Sequence, residues 1–232
     1  MLINQNEMLE EPIWVKIPDL SKIPRSLPCL VYCKTGEFIG QTKSQILSAE
    51  ETAKANRFLP ELRKNYIDSH VILRQVLSHF TGLQSDKLVI SNLIQGKPFL
   101  QNYLLKFNLS HSKNVFLIAV SEQEIGVDIE EIQSDLDFDG IMDYAFSRGD
   151  KSFCLEHDLP ATFTRIWTLK EAYLKAIGTG LSEKLTEMDF TGSESVLNKD
   201  GFRFHTFVCP GNEIGSVVGS HDLDGLMFFE LL

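Results

Sequence analysis

The sequence has few cysteines, and they are not spaced as a redox or metal site would require. Cys29, Cys33, Cys154 and Cys209 form no CxxC pair. Four cysteines are also too sparse for a disulfide framework in a chain of 232 residues. We therefore expect reduced thiols that are mostly buried as small hydrophobic side chains.

Long apolar runs are also missing. No segment approaches the roughly 20 apolar residues that a membrane-spanning helix needs. Residues 1–11 lack the basic segment, apolar run and small-residue cleavage site of a secretory signal. These absences predict a cytoplasmic protein with no membrane partner. With 43% hydrophobic and 23% charged residues, the chain can bury the core of one large domain or of two small domains packed together.

Positive charge is scarce and unevenly distributed. The net charge of −10 argues against nucleic acid as the main partner. Residues 1–113 carry 14 Lys+Arg against 10 Asp+Glu, whereas residues 114–232 carry 8 against 22. A basic half beside an acidic half suits a polyanion held at their junction, with phosphates facing cations and a divalent metal facing carboxylates. A solvated acidic surface would explain many of the same charges.

The order of predicted elements divides the chain into three parts. Residues 1–28 contain four of the eight prolines and are predicted to form an irregular N-terminal arm. Residues 29–120 and 121–232 each contain strands, helices and further strands, which predicts an α+β fold: a pseudo-dimer of two similar halves, with antiparallel sheets and packed helices. The main predicted elements are helices at Arg63–Phe80 and about Ala161–Ile177, and strands at Lys113–Val120, Ile125–Glu130, Phe202–Cys209, Ile214–Val218 and Leu226–Leu231.

The predicted strand Ile125–Glu130 carries two adjacent carboxylates on one face. Alternate side chains of a strand share a face, so Asp128 and Glu130 point away from the buried isoleucines and valine. Two such acids repel each other unless they reach water or bind a cation, and their oxygens suit Mg²⁺. An amphipathic edge strand with solvated acids is an equally good interpretation of this segment alone.

The helix that follows carries a column of residues spaced four apart. Trp167, Glu171 and Lys175 share one helical face, and Gly178 ends the helix. A glutamate and a lysine one turn apart are most often a surface ion pair. Here the column has a tryptophan at one end and a glycine-containing loop at the other, where a ligand could approach closely.

An upstream segment supplies groups that bind phosphate. Lys97 lies in Gly96-Lys97-Pro98, and Ser110 and His111 lie in Phe107-Asn108-Leu109-Ser110-His111-Ser112. A serine, a histidine and a lysine can all donate hydrogen bonds to phosphate oxygens. A structural role for a lone histidine is the alternative.

Together these blocks resemble the 4′-phosphopantetheinyl transferases, specifically their long, monomeric Sfp-like group. The resemblance is carried by Gly96–Pro98 with Phe107–Ser112, by Gly126–Glu130, and by Trp167–Leu181. It implies the family's two-half fold, with coenzyme A in the cleft between the halves. It also implies transfer of the phosphopantetheine arm of coenzyme A to a serine of an apo acyl, polyketide or peptidyl carrier protein, releasing 3′,5′-ADP.

The resemblance also implies roles for individual residues. Asp128, Glu130 and Glu171 would hold Mg²⁺, or Mn²⁺ in its place, against the pyrophosphate. Glu171 would be the base and Lys175 would assist the leaving group. The remaining implied coenzyme A contacts are Lys97, Ser110, His111, Lys170, Arg57, Arg63 and Lys64. Asp150 stands where many members have a glutamate and is left out of the metal set.

Two other functions stay open on the sequence. A metal-dependent phosphatase or nuclease could use the same carboxylates but would not need the Gly-Lys-Pro and Ser-His blocks. A degenerate family member that binds coenzyme A or a carrier without transfer would have lost a metal ligand or Lys175. All of these residues are present. The two halves in one chain favour a monomer.

Overall fold

A computed structural model gives the structure of residues 9–36, 44–180, 183–192, 196–199, 201–220, 223 and 225–232. Across these residues, no helix is both long and apolar enough to cross a membrane. The described strands are β1 (Val15–Ile17), β2 (Cys29–Lys34), β3 (Ile90–Asn92), β4 (Pro98–Leu100), β5 (Lys106–Ser112), β6 (Val115–Ser121), β7 (Ile125–Glu130), β8 (Val196–Lys199), β9 (Phe202–Val208), β10 (Ile214–Gly219) and β11 (Met227–Leu231).

Four of the five described α-helices begin after a residue whose side chain caps the first turn. The five helices are α1 (Ala49–Ala55), α2 (Pro60–Thr81), α3 (Phe138–Ala145), α4 (Arg148–Glu156) and α5 (Leu159–Ile177). Ser48 and Glu51 form a capping box at the start of α1. Pro60 begins α2, because its missing N–H is not needed in the first turn. The α+β class predicted from the sequence is confirmed, whereas its pseudo-dimeric character stays a prediction.

The first sheet departs from the predicted division of the chain. Its order is β1-β11-β2-β6-β5, so the final strand pairs with the first part of the chain rather than with the second. Both β1 and β2 run parallel to β11, although antiparallel pairing was predicted. The N-terminal arm is also not wholly irregular, since it supplies β1. Sequence periodicity could not reveal these pairings, because it reports which residues are buried but not their partners.

The second sheet is antiparallel, in the order β7-β10-β9-β8. A buried apolar cluster joins the two sheets. It contains Leu30 and Leu117 from the first sheet and Val127, Phe207 and Val217 from the second. Because these side chains lie in one core, the edges of the two sheets are held in a fixed relation to each other.

Helix α5 packs unusually close to β7, at Gly126. A Cβ atom on Gly126 would lie 2.1 Å from the Ala172 carbonyl oxygen and 2.3 Å from the Ala176 nitrogen. Gly126 is on the same strand face as Asp128. Because Gly126 has no side chain, the backbone of α5 can lie close to β7, and the side chains of α5 can reach the carboxylates of that strand.

We expect Gly126→Ala to lower the free energy of unfolding by about 3 kcal/mol, because the new methyl group meets helix backbone rather than a flexible side chain. Chemical denaturation measures this loss. Gly82→Ala is the comparison, since Gly82 has φ 75° but open space around it, and strain alone costs about 1–2 kcal/mol. A smaller loss at Gly126 than at Gly82 would contradict the proposed close packing.

Candidate active site between the two sheets

Three polar side chains of β5 face β7 across the gap between the sheets. Asn108 Oδ1 accepts a hydrogen bond from the Val127 backbone N–H at 2.9 Å. Ser110 Oγ donates to Asp128 Oδ1 at 2.6 Å, and Ser112 Oγ donates to Glu130 Oε2 at 2.8 Å. These residues alternate along β5 as the strand period requires. The edge strands of the two sheets are thus joined by side chains that also hold the two predicted metal ligands of β7.

Helix α5 contributes a lysine that contacts both of these strands. Lys175 Nζ lies 2.6 Å from Asp128 Oδ1 and 2.9 Å from Ser110 Oγ. The ammonium group is therefore tied to both strands at once. The helical column predicted from the sequence faces this point, because Trp167, Glu171 and Lys175 line the same pocket.

We call this pocket the central pocket. Its volume is about 390 Å³. It is lined by Leu109, Ser110, His111, Asp128, Glu130, Trp167, Glu171 and Lys175. The structure thus brings together the three predicted metal ligands, the two predicted catalytic residues and two of the predicted phosphate-binding residues, from three separate segments of the chain.

The carboxylates of the central pocket repel one another. Burial, followed by the charge of Asp128, raises the pKa of Glu130 to about 7. The same two causes raise the pKa of Glu171, while Lys175 opposes the shift. A bound cation would relieve this repulsion and keep both acids ionised at neutral pH.

One carboxylate oxygen of the central pocket has no hydrogen-bond partner among the residues that the structure describes. Asp128 is 3% exposed, and its Oδ2 is buried without a partner, whereas Oδ1 accepts from Ser110 and Lys175. A buried carboxylate oxygen is costly when unpaired. The hard oxygen donors and this orphaned atom fit a divalent cation such as Mg²⁺. Even so, among the described residues no three His, Cys, Asp or Glu side chains form a ready-made metal cluster.

Two further cavities adjoin the central pocket. One, of about 300 Å³, shares Leu109, Glu171 and Lys175 with it and is otherwise lined by Gln95, Gly96, Lys97, Pro98, Asn108, Leu174, Gly178 and Gly180. The other, of about 490 Å³, shares Glu130 and Trp167 with it and lies against α3. The shared linings show that the three cavities adjoin one another, with the carboxylates in the middle.

Comparison with known proteins supports the predicted family. Residues 124–214 match the model of the 4′-phosphopantetheinyl transferase superfamily. The 4′-phosphopantetheinyl transferase HetI of Nostoc is 36% identical over 160 residues, which are 64% of this chain and 66% of HetI. The 4′-phosphopantetheinyl transferase psf-1 of Bacillus pumilus is 30% identical over 184 residues, which are 77% of this chain and 75% of psf-1. The chain belongs to the 4′-phosphopantetheinyl transferase superfamily.

In this phosphopantetheinyl transferase, Lys97 lines the cavity next to the central pocket, but its ammonium group is already hydrogen-bonded to protein acceptors and is not free to bind phosphate. Its Nζ donates to Glu124 Oε2 at 2.7 Å, to the Ala176 carbonyl at 2.6 Å and to the Ile125 carbonyl at 3.4 Å. These contacts use the three donors of an ammonium group. Its charge therefore ties the residue before β4 to β7 and to the end of α5.

Lys170 lies outside the cleft, which corrects its prediction as a coenzyme A contact. It is fully buried and forms an ion pair with Asp150 at 2.8 Å, with neither side chain exposed. Its Nζ also donates to the Leu185 and Met188 carbonyls at 2.7 and 2.5 Å. Lys170 precedes Glu171 by one residue, so about 100° of helical rotation turns it away from the Glu171 face and into the core.

Asp150 belongs to the same buried cluster and is not among the residues that line the central pocket. Its carboxylate accepts from the backbone N–H groups of Ser147 and Phe190. Arg165 is also buried nearby, and burial lowers its pKa to about 10 although the charge of Asp150 acts in the opposite direction. The cluster joins α4 and α5 to the segment at 185–190.

The three cations predicted on and before α2 lie apart from the central pocket's lining. Arg57 and Lys64 are exposed. The Arg63 guanidinium donates to the carbonyls of Ala55 and Asn56 near the end of α1. However, α2 approaches the end of β5, since Asn65 donates to the Lys113 carbonyl. Burial lowers the pKa of His70 on α2 to about 4, with a small contribution in the same direction from His111. These cations therefore lie on the His111 side of the transferase cleft.

Asn108 and Ser112 were not predicted from the sequence to be residues of the site. Both lie in the block that carried the resemblance, and the alternation of Asn108, Ser110 and Ser112 is itself the signal of one polar strand face.

Proposed function

We propose that this chain transfers the 4′-phosphopantetheine group of coenzyme A to a serine hydroxyl of an apo carrier protein, with release of 3′,5′-ADP. The observation that carries the proposal is the convergence of Asp128, Glu130, Glu171 and Lys175 on one pocket between two sheets. Such a pocket suits phosphoryl transfer, which needs charge neutralisation and positioning rather than a protein nucleophile.

We propose that Asp128, Glu130 and Glu171 hold a divalent cation, with Mg²⁺ as the preferred ion. When bound, the cation would neutralise charge on the pyrophosphate of coenzyme A. Ser110 and Ser112 fix the rotamers of the two strand carboxylates through the hydrogen bonds described above. The protein thereby holds two of the three acids in position before any ligand arrives.

Glu171 is proposed as the base. Its carboxylate lines the central pocket beside Asp128 and Lys175, and the ionised form that a bound cation favours can accept a proton there. As the serine oxygen forms a bond to the pantetheine-side phosphorus, its proton passes to Glu171, directly or through water. The bond from that phosphorus to the oxygen of 3′,5′-ADP breaks, and Lys175 balances the charge on the leaving phosphate.

The linings of the cavities orient coenzyme A within the cleft. The nucleotide end, with its phosphates, fits the side of His111 and the cations of α2. The uncharged pantetheine arm fits the cavity of Pro98, Leu109 and Leu174, where the ammonium group of Lys97 is already engaged. Lys97 then serves as a positioning residue, as does Ser110, whose only hydroxyl proton is donated to Asp128, and His111 contacts the phosphates.

A transfer assay tests the proposal. The purified protein is incubated with coenzyme A, Mg²⁺ and several apo carrier domains, and each carrier is weighed by mass spectrometry. The expected result is a mass increase equal to one phosphopantetheine group on the carrier serine. If every carrier type stays unmodified, the chain is a non-transferring member of the family and the proposal is wrong.

We expect Asp128→Asn to raise the Mg²⁺ concentration needed for half-maximal rate by at least roughly 10-fold, because a charged metal ligand becomes neutral. A Mg²⁺ titration of the transfer rate measures the shift. Glu122→Gln removes an exposed acid in the β6–β7 turn and serves as the control. An unchanged Mg²⁺ requirement in Asp128→Asn would remove Asp128 from the metal site.

A further inference from the structure

A pair of buried hydroxyl groups ties α5 to the second sheet, behind the carboxylates of the central pocket. The hydroxyl oxygens of Thr168 on α5 and Ser216 on β10 lie 2.8 Å apart. Thr168 Oγ1 also donates to the Arg165 carbonyl oxygen at 3.0 Å. Since a hydroxyl group has one proton, Ser216 is the donor to Thr168. Both side chains are 0% exposed, so neither touches a substrate.

Ser216 is the direct neighbour of Asp128. In the antiparallel pair of β10 and β7, Ser216 is the partner of Asp128, which places their Cβ atoms about 4.5–5.5 Å apart. Both side chains lie on the face of the sheet that α5 covers, because Ser216 contacts Thr168 and Asp128 contacts Lys175. The hydroxyl pair therefore holds α5 at a point one strand away from a carboxylate of the pocket.

Small residues set how close α5 lies to β7, but they do not fix its position along its own axis. Thr168, Ala172 and Ala176 are four residues apart and share one helical face. Ala172 and Ala176 lie against Gly126. Apolar contact has no preferred direction, whereas a hydrogen bond weakens steeply when donor and acceptor are displaced. The bond between Thr168 and Ser216 is therefore a contact that opposes sliding of the helix along the sheet.

Sliding of α5 would move the reactive side chains of the site. Glu171 and Lys175 follow Thr168 by three and seven residues, or about 4.5 and 10.5 Å along the helix axis. A helix is a rigid element over this distance, so a displacement at Thr168 reaches both side chains. Asp128 belongs to β7 and would not move with them. A misplacement of about 1 Å can cost roughly 10²-fold in rate.

We propose that Thr168 and Ser216 are positioning residues of this enzyme. Their hydrogen bond sets the axial register of α5, so that the helix presents Glu171 and Lys175 to the carboxylates of β7 at the distances that metal binding and transfer require. This inference rests on the proposed transfer activity. It gives a role in catalysis to two uncharged side chains that are buried behind the pocket.

Thr168→Val tests the proposal, because it removes the hydroxyl group and keeps the shape of the side chain. We expect kcat for carrier modification to fall about 10- to 100-fold. The Mn²⁺ concentration that half-saturates the protein should rise about 10-fold. Electron paramagnetic resonance of the free ion measures this binding with coenzyme A present and no carrier, so the readout does not depend on turnover. Thr168→Ser keeps the hydroxyl group and should give values near those of the wild type.

A double variant separates positioning from stability. Thr168→Val leaves the Ser216 hydroxyl group buried without its acceptor, which should lower the midpoint of chemical denaturation. Thr168→Val/Ser216→Ala removes both partners, and its midpoint should return toward the wild-type value, because replacing both members of a buried hydrogen bond by apolar groups is nearly neutral. Its kcat and its Mn²⁺ affinity should stay low, since the bond that fixes the register is still missing.

Thr206→Val is the matched control. It removes a fully buried hydroxyl group from the residue of β9 that pairs with Ser216, and it should leave kcat and Mn²⁺ affinity unchanged. An equal loss in this control would overturn the inference, because the effect would then follow from any buried hydroxyl group of this sheet.

The remaining outcomes distinguish the inference from the function on which it rests. Wild-type kcat and Mn²⁺ affinity in Thr168→Val would overturn the inference, and the contact of Lys97 with the end of α5 would then suffice to hold the register. Recovery of both values in the double variant, together with its midpoint, would also overturn it. Either result leaves the transferase proposal in place. Absence of transfer by the wild-type protein to every carrier would overturn the proposed function, and the inference with it.

Discussion

Glu171→Gln should lower kcat for carrier modification by about 10²–10⁴-fold, the usual contribution of a general base. Glutamine has nearly the same shape as glutamate, so the contacts of α5 with β7 should be kept. The charge that would accept the serine proton is lost, and with it one of the three proposed metal ligands. Single-turnover rates with coenzyme A and an apo carrier, measured at saturating Mg²⁺, report the effect.

Glu156→Gln is the matched control for Glu171→Gln. It makes the same chemical change at an exposed position of α4 and should leave the rate unchanged. Thermal unfolding of both variants should occur near the wild-type temperature, which shows that a lost rate is not a lost fold. Near-normal turnover in Glu171→Gln would exclude Glu171 both as the base and as an important ligand.

Lys170→Met should lower the free energy of unfolding by about 3–5 kcal/mol, because it leaves the carboxylate of Asp150 buried without its ammonium partner. The Leu185 and Met188 carbonyls would also lose their donor. Denaturant titration measures the loss. In the folded fraction, the KM for coenzyme A should stay near the wild-type value, since Lys170 does not reach the cleft.

Lys151→Met provides the comparison for Lys170→Met. Lys151 pairs with the exposed Asp143, so its loss should cost less than about 1 kcal/mol. A cost at Lys170 no greater than at Lys151 would contradict the buried ion pair. A large rise in the KM for coenzyme A with unchanged stability would restore Lys170 as a substrate contact.

The fold was predictable where one chain segment carried its own signal. The strand Ile125–Glu130 was predicted with its observed ends, because alternating apolar and polar residues fix both its period and its buried face. Helix α5 begins two residues before its predicted start and ends at Ile177 as predicted, where Gly178 adopts φ 73°. The pairing of β11 with β1 and β2 was not predictable in this way, since the periodicity of a strand does not determine which strand it pairs with.

The sequence by itself determined the chemistry of the candidate site: two carboxylates on one strand face, a glutamate and a lysine one helical turn apart, and a polar strand upstream. Local periodicity carries that information, because side-chain direction repeats with the backbone. Only the tertiary structure decided which groups meet. Close packing at Gly126 brings Lys175 to Asp128. Lys170 instead points into the core, and the ammonium group of Lys97 donates its hydrogen bonds to protein acceptors. The free energy of burying a charge depends on surrounding atoms that are distant in sequence, so a lysine lines the pocket at one position and is a structural anchor at another.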